Sequence, residues 1–478
     1  MKQNHAWQPV IGLELHVQLN TRTKLFCADE AAFGQAPNTR ISEVSLGYPG
    51  TLPVLNKEAV GKAVLLGLAC GSKINDRFYF ERKNYTYPDL PKGYQLTQSR
   101  LPVCEGGGIP VRLREAYDKR VPLIRIQIEE DAGKSLHDVY DNLTALDFNR
   151  AGTALLEIVT HPSIHSPEEA GAVVAELRRM VRYLGISDGN MEEGSLRCDA
   201  NISMRPSGSN ELGTRVEIKN LNSIRFLQQA LAYEITRQTE LLREGKKVMQ
   251  ETRLFNASSG QTFAMRTKEE LNDYRYFPEP DLPEIVLDHS FIEKLKTSLP
   301  ELPHQLYIRY VNEYNIPPAD AAVLVEEKEL TDLFEETVKL TGNPRASANW
   351  IIGPVRSLGA DKKKPNPARL AEVIALTEAG KVSFAIAARE LLPFVIIQPE
   401  FTALTAAEHL GIIQTADKDV ILPLVQEVLG SYPDKVREYQ KGKKGLLGFF
   451  MGEIQKRSRQ KTDPAQTRNV LERLLNGD

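Results

Sequence analysis

From Ile11 to Asn20 the chain alternates without a fault. Ile11, Leu13, Leu15, Val17 and Leu19 are apolar, and Gly12, Glu14, His16, Gln18 and Asn20 between them are not. Successive side chains of a strand point to opposite faces, so this period predicts a strand with one buried side. The other side carries a carboxylate and an imidazole two residues apart. The same parity recurs in four more segments. LIRIQIEED sets Ile124, Ile126 and Ile128 against Arg125, Gln127 and Glu129, and TALLEIVT sets Glu157 apart from Leu156 and Ile158. RCDANISMR opposes Cys198, Ala200, Ile202 and Met204 to Arg197, Asp199, Asn201, Ser203 and Arg205, and TRVEIK opposes Val216 and Ile218 to Arg215, Glu217 and Lys219.

Each of these polar sides includes a carboxylate. One reading is the solvated face of an antiparallel sheet. The other is a charged floor that holds a divalent metal and an anion together, with carboxylates for Mg²⁺ and Arg or Lys for phosphate oxygens. A surplus of acids fits more than one ion, as in phosphoryl transfer. Parity alone leaves both open.

The rest of the chain narrows the classes. At 478 residues it is long enough for two to four domains, and 41% hydrophobic with 26% charged residues is the balance of a soluble globular protein. No leader-like segment and no apolar run of membrane-spanning length stand out, which predicts a cytoplasmic protein with no membrane partner. Cys27, Cys70, Cys104 and Cys198 show no C-x-x-C spacing, so reduced thiols are expected. A net charge of −3 gives no global attraction for nucleic acid; any such contact needs a local basic patch. Neither of the two common glycine-rich nucleotide cradles follows a strand, and CEGGGIP reads as a turn. ERKNYTYPDLPKGYQLTQ reads as a turn-rich loop mixing Arg82, Lys83 and Lys92 with tyrosines, either a surface connection or a nucleotide contact.

Helical grammar begins at SPEEAGAVVAELRRMVRYLG. Ser166 is the N-cap, Pro167 opens the helix, Glu169 closes a capping box, and Val173, Leu177, Val181 and Leu184 form a stripe that should back the sheet. Strand-like alternation fades after PEPDLPEIVL, predicting a boundary near residue 290, with a second near 405. GADKKKPNPARL reads as an exposed loop. Between Lys435 and Arg468 ten basic residues face three acids, a net of +7, while Leu447, Phe450, Met451 and Ile454 recur at helical spacing and Asp463–Pro464 starts a last helix. The segment is either a helical bundle with basic surfaces or a grip on an RNA backbone.

Seven stretches in order, VIGLELHVQLNTRTKLFC, RKNYTYPDLPKGYQL, EEDAGKS, DFNRAGTALLEIVT, MEEGSLRCDANIS, EIKNLNSIRF and DYRYFPEPDLP, resemble the B subunits of the bacterial aspartyl/glutamyl-tRNA amidotransferases. The resemblance implies an α+β fold. A mixed or antiparallel sheet domain of glutamine-synthetase type, backed by helices, spans residues 1–290; a helical domain follows over 291–404, and a YqeY-like, tRNA-binding helical tail over 405–478. It implies a ligase using ATP and Mg²⁺: the γ-phosphate activates the side-chain carboxylate of Glu-tRNA(Gln) or Asp-tRNA(Asn), and ammonia displaces it. Carried over by position, the Mg²⁺ ligands are Glu14, His16, Glu129 and Glu157. Lys83 and Glu129 stand at the ammonia passage, and Glu193, Asp199 and Glu217 serve nucleotide-linked metal or ammonia handling. Arg82, Arg125, Arg197 and Asn201 are the candidates for nucleotide contact.

No cysteine or serine here stands in a recognisable nucleophile motif, so ammonia is expected from elsewhere, and the resemblance implies two partners, a glutaminase A subunit and a small C subunit. Many members carry a four-cysteine zinc knuckle after the first strand. Here those positions read Cys27, Asp29, Ser42 and Ser45, and no zinc is expected, since one thiolate does not make a tetrahedral site. A second reading of the whole chain is a non-catalytic tRNA-binding scaffold of the same complex.

Overall fold

The computed structural model describes residues 6–265, 274–359, 363–415, 417–458 and 461–476. The alternating segment becomes the strand Trp7–Gln18, at the centre of a ten-stranded sheet. Its neighbours are Leu196–Pro206 on one side and Ala154–Thr160 on the other, both antiparallel. Outward from Leu196–Pro206 come Val216–Lys219, Glu251–Asn256 and Gln261–Ala264, the first two of these paired parallel. Outward from Ala154–Thr160 comes Ala116–Glu130, then the short pairs Cys104–Glu105 and Lys73–Ile74. The sheet is therefore mixed and almost wholly antiparallel.

One face is a continuous core. Ile11, Leu13, Leu15 and Val17 pack with Leu156, Ile158, Ala200 and Ile202, and the helices Pro167–Tyr183 and Ile224–Arg243 close over them through Val173, Leu177, Val181, Leu227 and Leu231. The first of these helices starts as its sequence predicts: the Ser166 hydroxyl accepts from the Glu169 amide at 3.1 Å. The Glu169 carboxylate reaches back one residue further than a capping box requires, accepting from the His165 amide at 3.0 Å.

Two expectations are corrected. Ile124 does not face the core; it is 39% exposed, while Leu123 is buried. The cause is a register shift between Val159 and Thr160: Arg125 pairs with Val159 but Leu123 with Thr160, so Ile124 is an extra residue that reverses the parity upstream. ERKNYTYPDLPKGYQLTQ is not all loop, because Glu81–Asn84 and Tyr94–Thr97 pair as a hairpin and Phe277–Pro278 adds a third strand. Residue 405 lies inside the helix Ala403–His409, capped by Thr402. CEGGGIP turns as expected, with Gly106 and Gly107 at φ of 66° and 79°.

One compact unit ends at Ile308 and a second begins at Arg309. The helix His289–Thr297 belongs to the first, with Phe291, Ile292 and Leu295 packed on its core. Among the described residues the elements of the second unit are all helices. Its last part encloses a cluster of its own, Ile421, Val425, Phe450, Ile454, Leu471 and Leu475. Within the predicted lysine loop Lys363 is exposed, and Ala360–Lys362 lie outside the described residues, as does Arg459 of the basic stretch. No helix among the described residues is long and apolar enough to cross a membrane.

Candidate active site

Register brings the acids together on the face opposite the helices. His16 pairs with Glu157 on one neighbour and Arg197 on the other; Glu14 pairs with Val159 and Asp199. Glu157 pairs with Gln127, and Leu155 with Glu129. The His16 imidazole Nε2 consequently stands 3.6 Å from Glu14, 3.6 Å from Glu129 and 3.8 Å from Glu157. This is not a solvated surface: the side chains of Glu129 and Glu157 are only 4% and 8% exposed.

The surrounding groups fix these acids in place. Thr97 donates to Glu129 at 3.1 Å and accepts from Gln127 at 3.0 Å, and Gln127 accepts from Arg125 at 2.7 Å. Arg125 also reaches Glu157 at 3.3 Å. Burial and the neighbouring Glu157 push the Glu129 carboxyl up to about 7. Burial and Glu157 raise Glu14 too. Burial opposes the charge on Glu157, but His16 and Arg125 outweigh it and hold that carboxyl below its usual range. Burial likewise opposes a cationic His16, and Glu157, Glu129 and Glu14 together overcome it. Three carboxylates around a single imidazole repel one another, and a cation between them relieves that repulsion. The ligand atoms of Glu14, His16 and Glu157 all lie within 4.8 Å of one another, a spacing a divalent ion can bridge. Carboxylate oxygens suit magnesium and manganese alike.

The other predicted residues divide clearly. Lys83, on the Glu81–Asn84 strand, holds its ammonium 4.9 Å over the Tyr274 ring; burial lowers its pKa, but Glu129, Tyr276 and Tyr274 raise it further, so it stays charged. Asp199 and Glu217 share Lys219, at 2.8 and 3.1 Å, one step along the sheet from Glu14. Arg197 is bound to Asp131 at 2.8 Å. Asn201 stands opposite Gly12 and Glu217. Two candidates are not drawn into the cluster. Arg82 is engaged by Glu279 at 2.6 and 2.8 Å and stacks on Tyr94, and Glu193 lies in an exposed turn. Sequence reasoning missed Asp131, which with Arg150 and Arg197 borders the site, and Thr97. Asp131 and Arg150 sit in EEDAGKS and DFNRAGTALLEIVT, which could have flagged them; Thr97 carried no such signal.

The four positions after the first strand form a hydrogen-bonded hub. Asp29 accepts from the Ser42 amide and hydroxyl at 2.9 and 3.0 Å and from the Ser45 hydroxyl. The Cys27 thiol lies 3.4 Å from Ser45, and the fully buried Lys24 ammonium lies 3.9 Å from Asp29 and 3.3 Å from Ser45. Burial works against the Asp29 charge, but these hydroxyls, Cys27 and Lys24 hold it below the usual range.

Comparison with known proteins identifies the family. The family described as the GatB/GatE catalytic domain matches residues 9–293, and the family described as the GatB domain matches residues 332–475. A protein of Chlorobium chlorochromatii, named as the B subunit of an aspartyl/glutamyl-tRNA(Asn/Gln) amidotransferase, is 46% identical over 477 residues, covering 98% of this chain and 100% of that protein. Proteins of the same name from Thermodesulfovibrio yellowstonii and Nitrosococcus oceani are each 45% identical, covering 98% of this chain and 99% of their own.

Proposed function

Because the chain belongs to the GatB family of tRNA-dependent amidotransferase B subunits, we propose that its charged sheet face activates the side-chain carboxylate of Glu-tRNA(Gln) or Asp-tRNA(Asn) with ATP and passes it to ammonia. The observation that carries this reading is the convergence of Glu14, His16, Glu129 and Glu157 from three adjacent strands into one shielded cluster. A carboxylate is a poor electrophile, and an acyl phosphate is a good one. Making it brings two anions together, which requires fixed positive charge on the spot.

Glu14, His16 and Glu157, with Glu129 alongside, would hold magnesium, which when bound supplies Lewis-acid charge against phosphate oxygens. The chain's own groups do the rest. Arg125 and Lys83 offer donors to the phosphate and acyl oxygens. Ammonia's nitrogen attacks the acyl carbon, phosphate leaves with the C–O electron pair, and the buried Glu129 carboxylate takes the proton from nitrogen. Water is kept from the acyl phosphate by the burial of Glu129 and by the hairpin that carries Lys83.

The ammonia is expected from a glutaminase A subunit held by a small C subunit. Cys70, Cys104 and Cys198 are buried on the core side, and burial lifts the Cys70 thiol to about 12, so none supplies a thiolate nucleophile. The Lys24–Asp29 hub supports a zinc-free loop. We take the helical residues beyond the sheet unit as a middle domain and a tRNA-binding tail, and the cytoplasm as the place of action. The test is ADP release by the assembled enzyme with and without misacylated tRNA. Glu129→Gln and Glu14→Gln should each cut it at least a hundredfold. Turnover unchanged in both variants would leave only the scaffold reading.

A further inference from the structure

Arg125, Gln127 and Glu129 alternate on one face of the strand Ala116–Glu130, and Thr97 reaches them from the end of the strand Tyr94–Thr97. Their hydrogen bonds form a single chain with a fixed direction. A guanidinium only donates, so the 2.7 Å bond from Arg125 Nε makes Gln127 Oε1 the acceptor. The amide nitrogen of Gln127 is then the end that meets Thr97, donating to its hydroxyl oxygen at 3.0 Å. The one hydroxyl proton is left for the Glu129 carboxylate, at 3.1 Å. Reversing the chain would set the Gln127 NH₂ group against a guanidinium, donor facing donor. Arg125 is itself held by Glu157 at 3.3 Å, so both ends of the chain are acids of the cluster.

Thr97 and Gln127 are 1% and 4% exposed, so water is shut out from replacing either bond. The hairpin that carries Thr97 is pinned to the same strand. The Leu96 amide donates to the Glu130 carboxylate at 2.9 Å, the Gln95 side chain donates to the Glu130 carbonyl at 2.7 Å, and Gln98 accepts from the Ile128 amide at 2.8 Å. The hydroxyl is therefore a fixed donor on a rigid support. What it fixes is the direction of Glu129. Thr97 takes Oε2, which leaves Oε1 on the side of His16, 3.6 Å away. Among the described residues no other group donates a hydrogen bond to this carboxylate. Its remaining neighbours act through charge alone: Glu157 repels it, while His16 and Lys83 attract it. Such pulls are weakly directional, and a hydrogen bond is what gives the carboxylate one orientation.

We infer that Thr97, aligned by Gln127 and Arg125, is a positioning residue for ammonia transfer: it aims Glu129 at the nitrogen that attacks the acyl phosphate. The inference rests on the reading above, in which Glu129 takes the proton from that nitrogen. The acyl phosphate has two fates that separate aiming from mere support. Ammonia forms the C–N bond, phosphate leaves with the C–O electron pair, and the proton passes to Glu129. Water instead restores the carboxylate and releases the same phosphate. ADP counts activations and amidated tRNA counts captures, so a misaimed Glu129 lowers the amidated tRNA formed per ADP. Activation needs the charge of Glu129, which a change at Thr97 leaves in place. The test measures both products in the assembled enzyme with misacylated tRNA, ATP, magnesium and ammonium chloride as nitrogen donor. Thr97→Val, close in shape but without the hydroxyl, should lower the ratio at least fivefold while ADP release stays within threefold of the parent. Thr97→Ser, which keeps the donor, should return the ratio to within twofold. Gln127→Met, which frees the hydroxyl to rotate, should lower it at least twofold and decides the matter if Thr97→Val does not assemble. Parallel losses of ADP and amidated tRNA, an unchanged ratio, or a ratio that Thr97→Ser does not restore would each overturn the inference. A parent enzyme that releases no ADP when misacylated tRNA is added would bring down the activation reading and this inference together; a coupled parent with an unmoved variant sinks this inference alone.

Discussion

Glu176 is 1% exposed on the helix Pro167–Tyr183, paired with Arg179 one turn along and accepting from the Tyr117 hydroxyl at 2.8 Å. Arg179→Met removes the cation and keeps most of the volume, so a carboxylate is left in the core with one hydrogen bond. Breaking a buried pair from one side costs about 3–5 kcal/mol. The cost should depend on pH. Burial already raises the Glu176 pKa despite Arg179, and losing the guanidinium raises it further. A carboxyl raised in the folded state contributes fully below its unfolded pKa of 4.5 and loses that contribution as pH rises through the folded value. The variant should therefore be nearly as stable as its parent at pH 5 and worse by about 3–4 kcal/mol at pH 8, each pH unit between being worth up to about 1.4 kcal/mol. One tryptophan lies in each unit, Trp7 and Trp350, so a Trp350→Phe background lets urea unfolding followed by fluorescence report the sheet unit alone. Adding Glu176→Gln to Arg179→Met should recover most of the loss. A pH-independent penalty, or no recovery in the double variant, would refute the reasoning.

Three further outcomes follow from particular contacts. Burial and nearby Arg120 depress His304 to about 4, and its Nδ1 is buried without a hydrogen bond among the described residues. The unfolded state therefore binds the proton first, and stability should fall between pH 6.5 and about 4 by at most about 3 kcal/mol, a component absent in His304→Gln by the same urea assay. Purified protein should carry no stoichiometric zinc by elemental analysis and keep its Tm in strong chelator, while Asp29→Ala, which strands the buried Lys24, should lower it by several degrees; zinc found at one per chain would contradict the hub. Lys441 and Lys456 are exposed, and changing both to Glu should weaken tRNA binding and flatten its salt dependence by a slope of about two; unchanged binding at moderate salt would remove the tail from the tRNA interface.

Much of the site was legible because period two is a strict code. Once Glu14 and His16 share a face, any antiparallel neighbour with the same parity adds its acids to that face, and Glu129 and Glu157 did so. What parity cannot show is register, so neither the depth of the cluster nor the Asp199–Lys219–Glu217 row beside it could be read in advance. A bulge is invisible to alternation, which is why alternation puts Ile124 on the wrong face. Glu193 came from motif position alone, and Arg82 from its motif and from the mixture of basic and aromatic residues around it. A motif does not say that Glu279, nearly two hundred residues away, captures Arg82. In the tail, the window from Lys435 to Arg468 overstated the charge because Glu427, Asp434 and Glu472, just outside it, pair with Arg457, Arg437 and Arg468.

Manganese can stand in for magnesium and be counted by its paramagnetic resonance signal. Titrated into the assembled enzyme, it should fill a site that Glu157→Gln weakens at least tenfold and that competes with magnesium, while Glu193→Gln leaves it untouched. Identical titration curves for the parent and Glu157→Gln would mean that the buried acids and His16 hold no ion, and the account of what this sheet face does would be contradicted at its base.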